Sequence, residues 1–464
     1  MSILNNASSG LKTAQSLLNT TSRNVTNAST PGYTKKTQHS STGPLGNAEP
    51  GKITRAVNEF LVQDLRRATS ADTYQDTLTA ALKYMDALSG DPAAEASLGN
   101  RMDALGNAFQ DVATEPSSSV AYAAVIESGT GLADSMNRLY SDMQSVRFEA
   151  RQDRSVDVGV ANEILGEIAD LNIKISDGLA AGRDVTDRQD RRDQLALELS
   201  EIMEIRTFEN DRGVMNVFTA EYQQLANDRA KTITVDSNDR ILVSDEPVSR
   251  LGGTLGAYNE IERRAVDRLA ELDEMATQLA SAFSENGGPE TDMFVDAAGN
   301  TPEDGGFDSA GFAAGISVRQ DLIDNPTHLR TSRADIGLGN ENAVGDTTVL
   351  NQSRQALLQP RDFDLGANET YRGVFKPALT SVTLSNAAAE VTASIGDQVR
   401  RSEGLLSESS VSVGFLKNEL ATTADVNIDD EMARMIVLQQ LYSASARVIT
   451  TTQRMMDELM NSVR

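Results

Sequence analysis

The sequence predicts a mainly α-helical protein with an inserted β-rich domain. Three observations indicate this fold class. Long stretches repeat their apolar residues every three or four positions, which is the period of a helix. One stretch, residues 204–258, instead alternates apolar and polar residues, as half-buried strands do. Aromatic residues make up only 5% of the 464 residues and Trp is absent, so the cores must be aliphatic, which favours helices over a sandwich or barrel.

The first element is a helix over residues 3–28, whose apolar positions alternate spacings of three and four, as in a coiled-coil seam. The seam residues are Leu4, Ala7, Leu11, Ala14, Leu18 and Val25. The seam of this 26-residue helix offers only three Leu and one Val of any size, so we expect the helix to be stable only when it packs among other helices. The turn Thr30-Pro31-Gly32-Tyr33 ends it, because Pro31 cannot continue a helix and Gly32 permits an unusual backbone.

The middle of the chain continues as helix and then changes period. Amphipathic helices are predicted over residues 60–88, 97–113, 119–151 and 160–179, with breaks at Pro- and Gly-containing stretches. The alternation over residues 204–258 predicts a small antiparallel meander, and a helix over 257–284 follows. The Gly- and Asp-rich stretch 285–312 is predicted as loop with one short strand at 293–295. From Asn340 the pattern is helical to the end, apart from breaks near Pro360 and Asn427.

The last helix matches the first. Asn427 is a suitable N-cap, and acidic residues fill the first turn, where carboxylates interact favourably with the helix dipole. The predicted seam residues on this helix are Met432, Met435, Tyr442, Ile449, Met456 and Leu459. We therefore predict three domains: a terminal coiled coil from residues 1–33 and 427–464, a helical rod from 34–202 and 340–426, and an inserted β-rich domain with one helix at 203–339.

Charge and hydropathy exclude several classes of partner. The formal net charge of −26 argues against nucleic acid, because phosphate binding needs Lys and Arg. No stretch approaches the ~20 apolar residues of a membrane-spanning helix, so we expect no membrane insertion. The first thirty residues also lack the basic and apolar regions of a secretory signal. We expect either a cytoplasmic protein or export without a cleaved signal peptide.

No catalytic, cofactor-binding or metal-binding residues are predicted, and we do not expect an enzyme. The segment Gly46–Lys52 has the spacing of a phosphate-binding loop, but Ile53 stands where that motif needs Ser or Thr. The only two histidines, His39 and His328, lie far apart without a paired carboxylate, and there is no Cys. The acidic clusters lack the Gly and terminal Glu of a calcium loop.

Both ends of the chain resemble the bacterial flagellar axial proteins, the family of rod, hook and hook-associated subunits. The opening stretch "NTTSRNVTNASTPGYTKKT" resembles the signature of the family, and residues 426–463 resemble its C-terminal helix. Two further stretches, residues 187–218 and "LGGTLGAY" at 251–258, are similar to the hook-associated members at the hook–filament junction and have no counterpart in simple rod proteins.

This resemblance implies a structural subunit of the flagellum that forms the junction between hook and filament. It implies terminal helices that line the central channel, a ring or tubular homo-oligomer, and contacts with the hook protein and with the second junction protein or flagellin. It also implies an extracellular location reached through the flagellar type III export apparatus, with the help of an export chaperone.

Two alternatives remain open at this point. The chain resembles the hook protein and other axial proteins at both ends, although residues 187–258 argue against these. From a different class, a cytoplasmic coiled-coil scaffold, or an enzyme carried on a helical frame, would share the helical pattern. Finding the chain in culture fluid or on sheared flagella would separate these readings.

Overall fold

A computed structural model describes residues 2–43, 47–91, 93–284, 288–304, 307–338, 341–363 and 379–462. Its helices are α1 (Ser2–Asn27), α2 (Glu59–Ser89), α3 (Leu98–Thr114), α4 (Ser119–Ala180), α5 (Thr186–Ile202), α6 (Gly253–Ser284), α7 (Phe312–Gly315), α8 (Gln320–Asp324), α9 (Thr348–Leu358), α10 (Leu384–Ala424) and α11 (Ile428–Ser462). Short 3₁₀ turns cover Pro326–Arg330 and Arg333–Asp335. The fold class, mainly α with small antiparallel β elements and long terminal helices, is as predicted.

The strands are short and pair antiparallel. They are β1 (Lys36–Thr42), β2 (Ala48–Arg55), β3 (Ile205–Glu209), β4 (Met215–Thr219), β5 (Gln224–Ala226), β6 (Ile233–Val235), β7 (Ile241–Val243), β8 (Glu246–Pro247), β9 (Phe294–Val295), β10 (Ser317–Val318), β11 (Arg361–Phe363) and β12 (Leu379–Val382). Strands β3–β4–β5 and β6–β7–β8 form two three-stranded sheets, and the others pair two by two. The meander predicted over residues 204–258 is thus two small sheets in sequence order.

The described residues divide into two compact units. The terminal unit comprises residues 1–74, 155–256 and 407–464, and the second unit comprises 75–154 and 257–406. Helices α2, α4 and α10 contribute residues to both units. The three-domain division that the sequence suggests remains a prediction.

The core of the terminal unit lies between two helices and the two three-stranded sheets. Helix α4 contributes Ala161, Leu165 and Ile168, and α5 contributes Leu195 and Leu199. The inward faces of the strands supply Ile205, Met215, Val217, Ile233, Ile241 and Val243. Alternate residues of β3 and β4 therefore point into this core, and the residues between them point away from it.

The second unit has an aromatic centre. Phe283 of α6 packs against Phe109 of α3, with 5.8 Å between ring centroids, and against Phe294 of β9, with 5.4 Å. All three rings are fully buried. Asp273 of α6 accepts hydrogen bonds from the backbone N–H groups of Gly311 and Ala313, which fixes the short helix α7 against α6.

Two local expectations were wrong for identifiable reasons. Helix α4 is one helix of 62 residues, where the sequence predicts separate helices at 119–151 and 160–179. The polar residues 152–159 between the two predicted segments stay helical because Arg154 is buried and donates hydrogen bonds to Asn259 and Glu262, at 2.9 and 2.8 Å. The hairpin β1–β2 was missed because its buried residues, Lys36 and Gln38, are polar and give no apolar alternation.

The helical pattern predicted from Asn340 to the end of the chain is interrupted by two short strands. Helix α9 ends at Leu358, close to the predicted break at Pro360, and β11 and β12 then form a small hairpin before α10 begins. Residues 364–378 of that predicted helical stretch lie outside the described residues, as do Gly46 of the loop-like motif and Asn340 itself. The predicted break near Asn427 coincides with the joint between α10 and α11.

The stretch "LGGTLGAY" contains two glycines, Gly252 and Gly253, that the local backbone requires. Both have positive φ, at +62° and +53°, which L side chains rarely adopt. A Cβ atom on Gly253 would collide with the backbone of Ile202 at the end of α5. The two glycines therefore let α6 begin directly against the end of α5, while Leu251 and Leu255 stay buried in the core.

Neither a membrane-spanning nor a metal-binding arrangement occurs within the described ranges. None of the described helices combines the length and apolar character needed to cross a bilayer. Among the same residues, no three His, Cys, Asp or Glu side chains come together in a way that could hold a metal ion.

We expect Gly253→Ala to lower the free energy of unfolding of the terminal unit by more than about 2 kcal/mol, because the change adds backbone strain to a collision with Ile202. Urea unfolding followed by far-UV circular dichroism measures the loss, and hydrogen exchange assigns it to a unit. Gly159→Ala is the matched control, since a Cβ there meets open space in a helix interior and should add roughly 0.5–1 kcal/mol. Equal effects of the two changes would contradict this account.

Candidate assembly interface

The two terminal helices, α1 and α11, pack against each other. Gly10 marks a close approach, because a Cβ atom there would lie 3.5 Å from Ser445 Oγ of α11. The side chains of α1 that are buried within one chain are Thr13, Ala14, Leu17, Thr20, Thr21 and Asn24. On α11 only Glu431 and Leu438 are buried among the described residues. Most described side chains of α11 therefore keep part of their surface exposed in one chain.

The predicted seam of α1 lies along the border of this buried face. Ala14 is fully buried, whereas the other predicted seam residues, Leu4, Ala7, Leu11, Leu18 and Val25, are half-buried. The most buried face is rotated away from the predicted seam because α1 also packs on the β1–β2 hairpin. Each large seam side chain therefore keeps part of its surface open in a single chain.

The predicted seam of α11 is more exposed than that of α1. Met435 and Ile449 are half-buried, and Leu438, which lies between them and was not predicted, is buried. Met432, Tyr442 and Met456 are 45%, 38% and 51% exposed. Leu459, the last predicted seam residue, is also exposed, and it lies on a different face of α11 from the other five.

A second apolar stripe on α11 was not predicted. It consists of Val437, Leu441, Val448, Met455 and Leu459, spaced four and seven residues apart, and all five are 45% or more exposed. We call this the outer stripe. The signal was present in the sequence, since these spacings are those of a heptad repeat beside the first one. Such a row of exposed apolar side chains is typical of a surface that another protein covers.

The hairpin β1–β2 is attached to α1 by side-chain hydroxyl groups. Ser9 and Thr13 donate hydrogen bonds to the carbonyl oxygen of Ala48, at 2.7 and 3.1 Å. Ser16 and Thr20 donate to Oε1 of Gln38, at 3.1 and 3.0 Å. The Ser- and Thr-rich composition of α1 is therefore used to hold polar strands, which is why this helix needs few large apolar residues.

Asn24 connects α1 to the first strand beyond the turn. Its side chain accepts from the backbone N–H of Lys36 and donates to the carbonyl of Lys36, at 3.0 and 2.9 Å. Tyr33 Oη donates to the same Asn24 oxygen at 2.8 Å. Burial raises the pKa of the Tyr33 hydroxyl to about 12, so it stays protonated and able to donate at neutral pH.

The turn Thr30-Pro31-Gly32-Tyr33 has the residue pattern of a type II β-turn. Tyr33 N donates to Thr30 O at 3.1 Å, and Gly32 has a φ of +75°. Type II turns favour Pro at their second position and require positive φ at their third, where Gly is preferred. The turn directs the chain away from the end of α1 and into β1.

Beyond the turn, five charged residues form a buried group that we call the anchor cluster: Lys36, Arg55, Arg66, Asp190 and Asp193. Asp190 of α5 contacts Lys36 Nζ and accepts from Arg55 Nη1 at 3.1 Å. Asp193, one turn along α5, accepts from Arg55 and Arg66 at 2.6 and 3.0 Å. The cluster joins the hairpin and α2 to α5, with only Asp193 keeping more than a tenth of its side chain exposed.

Burial and charge act in opposite directions on Asp193. Burial alone would raise the pKa of its carboxyl, but the positive charges of Arg55 and Arg66 outweigh burial and leave the pKa below its usual value. Arg192 also lowers this pKa. Burial lowers the pKa of Lys36 despite the neighbouring Asp190.

Other residues in and next to residues 187–193 ("DRQDRRD") form ion pairs and hydrogen bonds with different partners. Asp187 and the neighbouring Asp184 pair with Arg23 near the end of α1. Arg192 is fully buried, and it contacts Glu209 and donates to Asn172 and to the carbonyl of Gly213. One helix, α5, thus binds α1, the hairpin and the β3–β4 turn through successive faces.

Three family models match the chain in separate segments. Residues 82–300 match the flagellar hook-associated protein FlgK helical domain. Residues 4–34 match the flagella basal body rod protein, and residues 422–462 match the flagellar basal body rod FlgEFG protein C-terminal. The two rod-type segments cover most of α1 and α11, and the hook-associated segment lies between them.

The whole-length relatives carry the same name. The chain is 24% identical to flagellar hook-associated protein 1 of Escherichia coli, with 99% of each chain covered, and 22% identical to that of Bacillus subtilis, with 99% of this chain and 98% of the relative covered. Over its whole length the chain is similar to flagellar hook-associated protein 1.

The similarity to flagellar hook-associated protein 1 and to flagellar rod proteins supports a structural role in the flagellum. The relative from Salmonella typhimurium is also 24% identical over 99% of each chain. Its alignment spans 563 positions, so that relative contains segments with no counterpart in the 464 residues here. The flagellar hook junction protein FlgK from Burkholderia pseudomallei is a solved structure that matches with a TM-score of 0.45 and 17% identity, covering 52% of this chain and 45% of that one.

We expect Asp193→Asn to lower the free energy of unfolding by about 3 kcal/mol at pH 7, because Arg55 and Arg66 then stay buried without their shared carboxylate. The folded-state pKa of Asp193 is depressed, so its stabilising effect exists above the unfolded pKa of about 3.9 and fades as the pH falls through that value toward the folded pKa. The difference between variant and wild type should therefore shrink at pH 3.

Urea unfolding at pH 7 and pH 3 measures both effects. Asp211→Asn is the matched control, because it makes the same substitution at an exposed carboxylate in the turn between β3 and β4. It should change stability by less than about 0.5 kcal/mol at either pH. A loss for Asp193→Asn that is equally large at both pH values would show that the ion pairs are not its cause.

Proposed function

We propose that this chain is a non-enzymatic subunit of the junction between the flagellar hook and the filament. In this proposal α1 and α11 form the inner, channel-lining part of a ring or tube of identical subunits. The hook protein lies on one side, and the second junction protein or flagellin lies on the other. The names of the relatives, flagellar hook-associated protein 1, support this position in the flagellum.

The observation that carries the proposal is the outer stripe of α11. One chain covers only one face of α11, and the neighbouring row of large apolar side chains, the outer stripe, is left in water. The half-buried seam of α1 and the exposed Met432, Tyr442 and Met456 add to this uncovered surface. Neighbouring copies in a ring would bury both sets at once, which supplies the apolar burial that one chain lacks.

A subunit at the junction of hook and filament has to be exported from the cell. We propose that the chain leaves the cell unfolded through the flagellar type III apparatus, without removal of an N-terminal segment, and that a chaperone accompanies it to that apparatus. The small number of large apolar residues in α1 supports this route, because such a helix is easily unfolded before export. The finished protein is then extracellular.

We expect Leu441→Asp to block assembly while leaving the free chain intact. A carboxylate in the middle of the outer stripe would be buried without a partner in every copy-to-copy contact, which costs several kcal/mol per subunit. In the free chain Leu441 is 47% exposed, so the melting temperature should change little. Cells carrying this variant should build hooks but release flagellin into the medium.

Ser443→Asp is the matched control, because Ser443 is exposed on another face of α11. That variant should assemble and support swimming. Electron microscopy of hooks, immunoblots of medium for flagellin, and melting of purified chain give the three readouts. Absence of hooks would indicate the hook protein instead. Normal swimming with Leu441→Asp, or a wild-type chain absent from sheared flagella, would contradict the proposed function.

A further inference from the structure

We propose that neighbouring copies contact each other head to tail through two opposite faces of the terminal unit. One is the outward face of the β3–β4–β5 sheet, formed by Arg206, Phe208, Phe218 and Tyr222, which we call the aromatic sheet face. The other is the outward face of α4, formed by Val156, Val160, Glu163, Glu167 and Asp170, which we call the acidic helix face. This inference rests on the proposed function, since only assembly brings the copies together.

The aromatic sheet face is unusually apolar for a surface next to water. In β3 and β4 the inward residues are buried, and Arg206 and Phe208 point outward opposite Phe218 and Asn216. The rings of Phe208 and Phe218 meet edge to face, with 6.0 Å between centroids. Phe208 is 50% exposed and Tyr222, just beyond β4, is 60% exposed. Exposed aromatic side chains in a group are typical of interface centres.

Arg206 adds a positive charge without a carboxylate partner. Its guanidinium lies over the Tyr222 ring, 4.8 Å from the centroid, and donates to Tyr222 Oη at 2.7 Å. Its Nε is buried and has no hydrogen-bond partner. Within the described ranges Arg206 makes no ion pair, although the chain has 68 acidic and 42 basic residues. The face is therefore suited to a surface that presents carboxylates beside apolar groups.

The acidic helix face has that composition. Val156 and Val160 are 58% and 40% exposed, one helical turn apart. Glu163 and Asp170 continue the same face and form no ion pair among the described residues. Glu167, between them, has only a 3.5 Å contact with Arg191, and Lys174 is the one base that follows along this face. The face thus carries three carboxylates, one ammonium group and two uncovered valines.

The two faces lie on opposite sides of one core. The buried side of α4, with Ala161, Leu165 and Ile168, packs in the same cluster as the inward residues Met215 and Val217 of β4. The outward sides of α4 and of the sheet therefore point away from each other and cannot meet within one chain. Different patches that complement each other give a heterologous contact, which builds rings or helical tubes rather than closed dimers.

Crosslinking between introduced cysteines tests this contact without background, because the natural chain has no Cys. Flagella built with Phe208→Cys and Val160→Cys in the same chain should give a ladder of multimers with a short bifunctional maleimide. Either single variant should remain monomeric on the gel. The control pair, Asn238→Cys with Val160→Cys, places one thiol on the exposed turn between β6 and β7 and should give no ladder.

Charge reversal gives a second readout. Arg206→Glu should lower the amount of chain on sheared flagella at least about tenfold, because like charges then face each other in every contact. Glu163→Arg or Asp170→Arg in the same chain should restore it. Melting of the purified variants checks that each still folds, and rescue by the second reversal separates a lost contact from a lost fold.

The outcomes distinguish this contact from the proposed function. Wild-type chain on flagella, with no ladder from the cysteine pair and no effect of charge reversal, would overturn the contact and leave the junction role intact. A dimer from Phe208→Cys alone would also overturn it, because that product needs two sheet faces to meet. Chain missing from flagella altogether would overturn both.

Discussion

The pairing of Asp190 and Asp193 with Lys36, Arg55 and Arg66 is the constraint on which the terminal unit depends. These two carboxylates lie one turn apart on α5 and hold three cations that come from the hairpin and α2. Because the hairpin is in turn bonded to α1 through Gln38 and Asn24, the position of α5 sets the position of the N-terminal helix. The helix is thus held by polar contacts on one side, and its apolar residues remain available to other helices.

Most of the helical framework could be predicted because it depends on local periodicity. Helix α1 begins and ends within one residue of the expected bounds, and the break at Asn427 follows from a capping residue. The hairpin could not be found in this way. Its inward residues, Lys36 and Gln38, are stabilised by Asp190 and by hydroxyl groups of α1, and these partners become neighbours only in the folded chain.

The candidate interface was predictable in part. The seam on α1 was predicted as an assembly contact, and that role stays a prediction. Within one chain the buried face of α1 is displaced from this seam because the hairpin covers one side. The outer stripe of α11 was readable as a second heptad repeat beside the first. What periodicity alone could not decide is which of the two stripes a single chain covers, since that depends on where α1 packs.

The central claim is that the apolar faces of the terminal helices are completed only by other copies. Hydrogen exchange of the free chain and of sheared flagella, compared peptide by peptide, tests it most directly. The account predicts fast exchange in residues 439–462 of the free chain and strong protection of the same amides in flagella. It also predicts that residues 13–24 are already protected in the free chain, because the hairpin holds them. Strong protection of residues 439–462 in the free chain would contradict the claim.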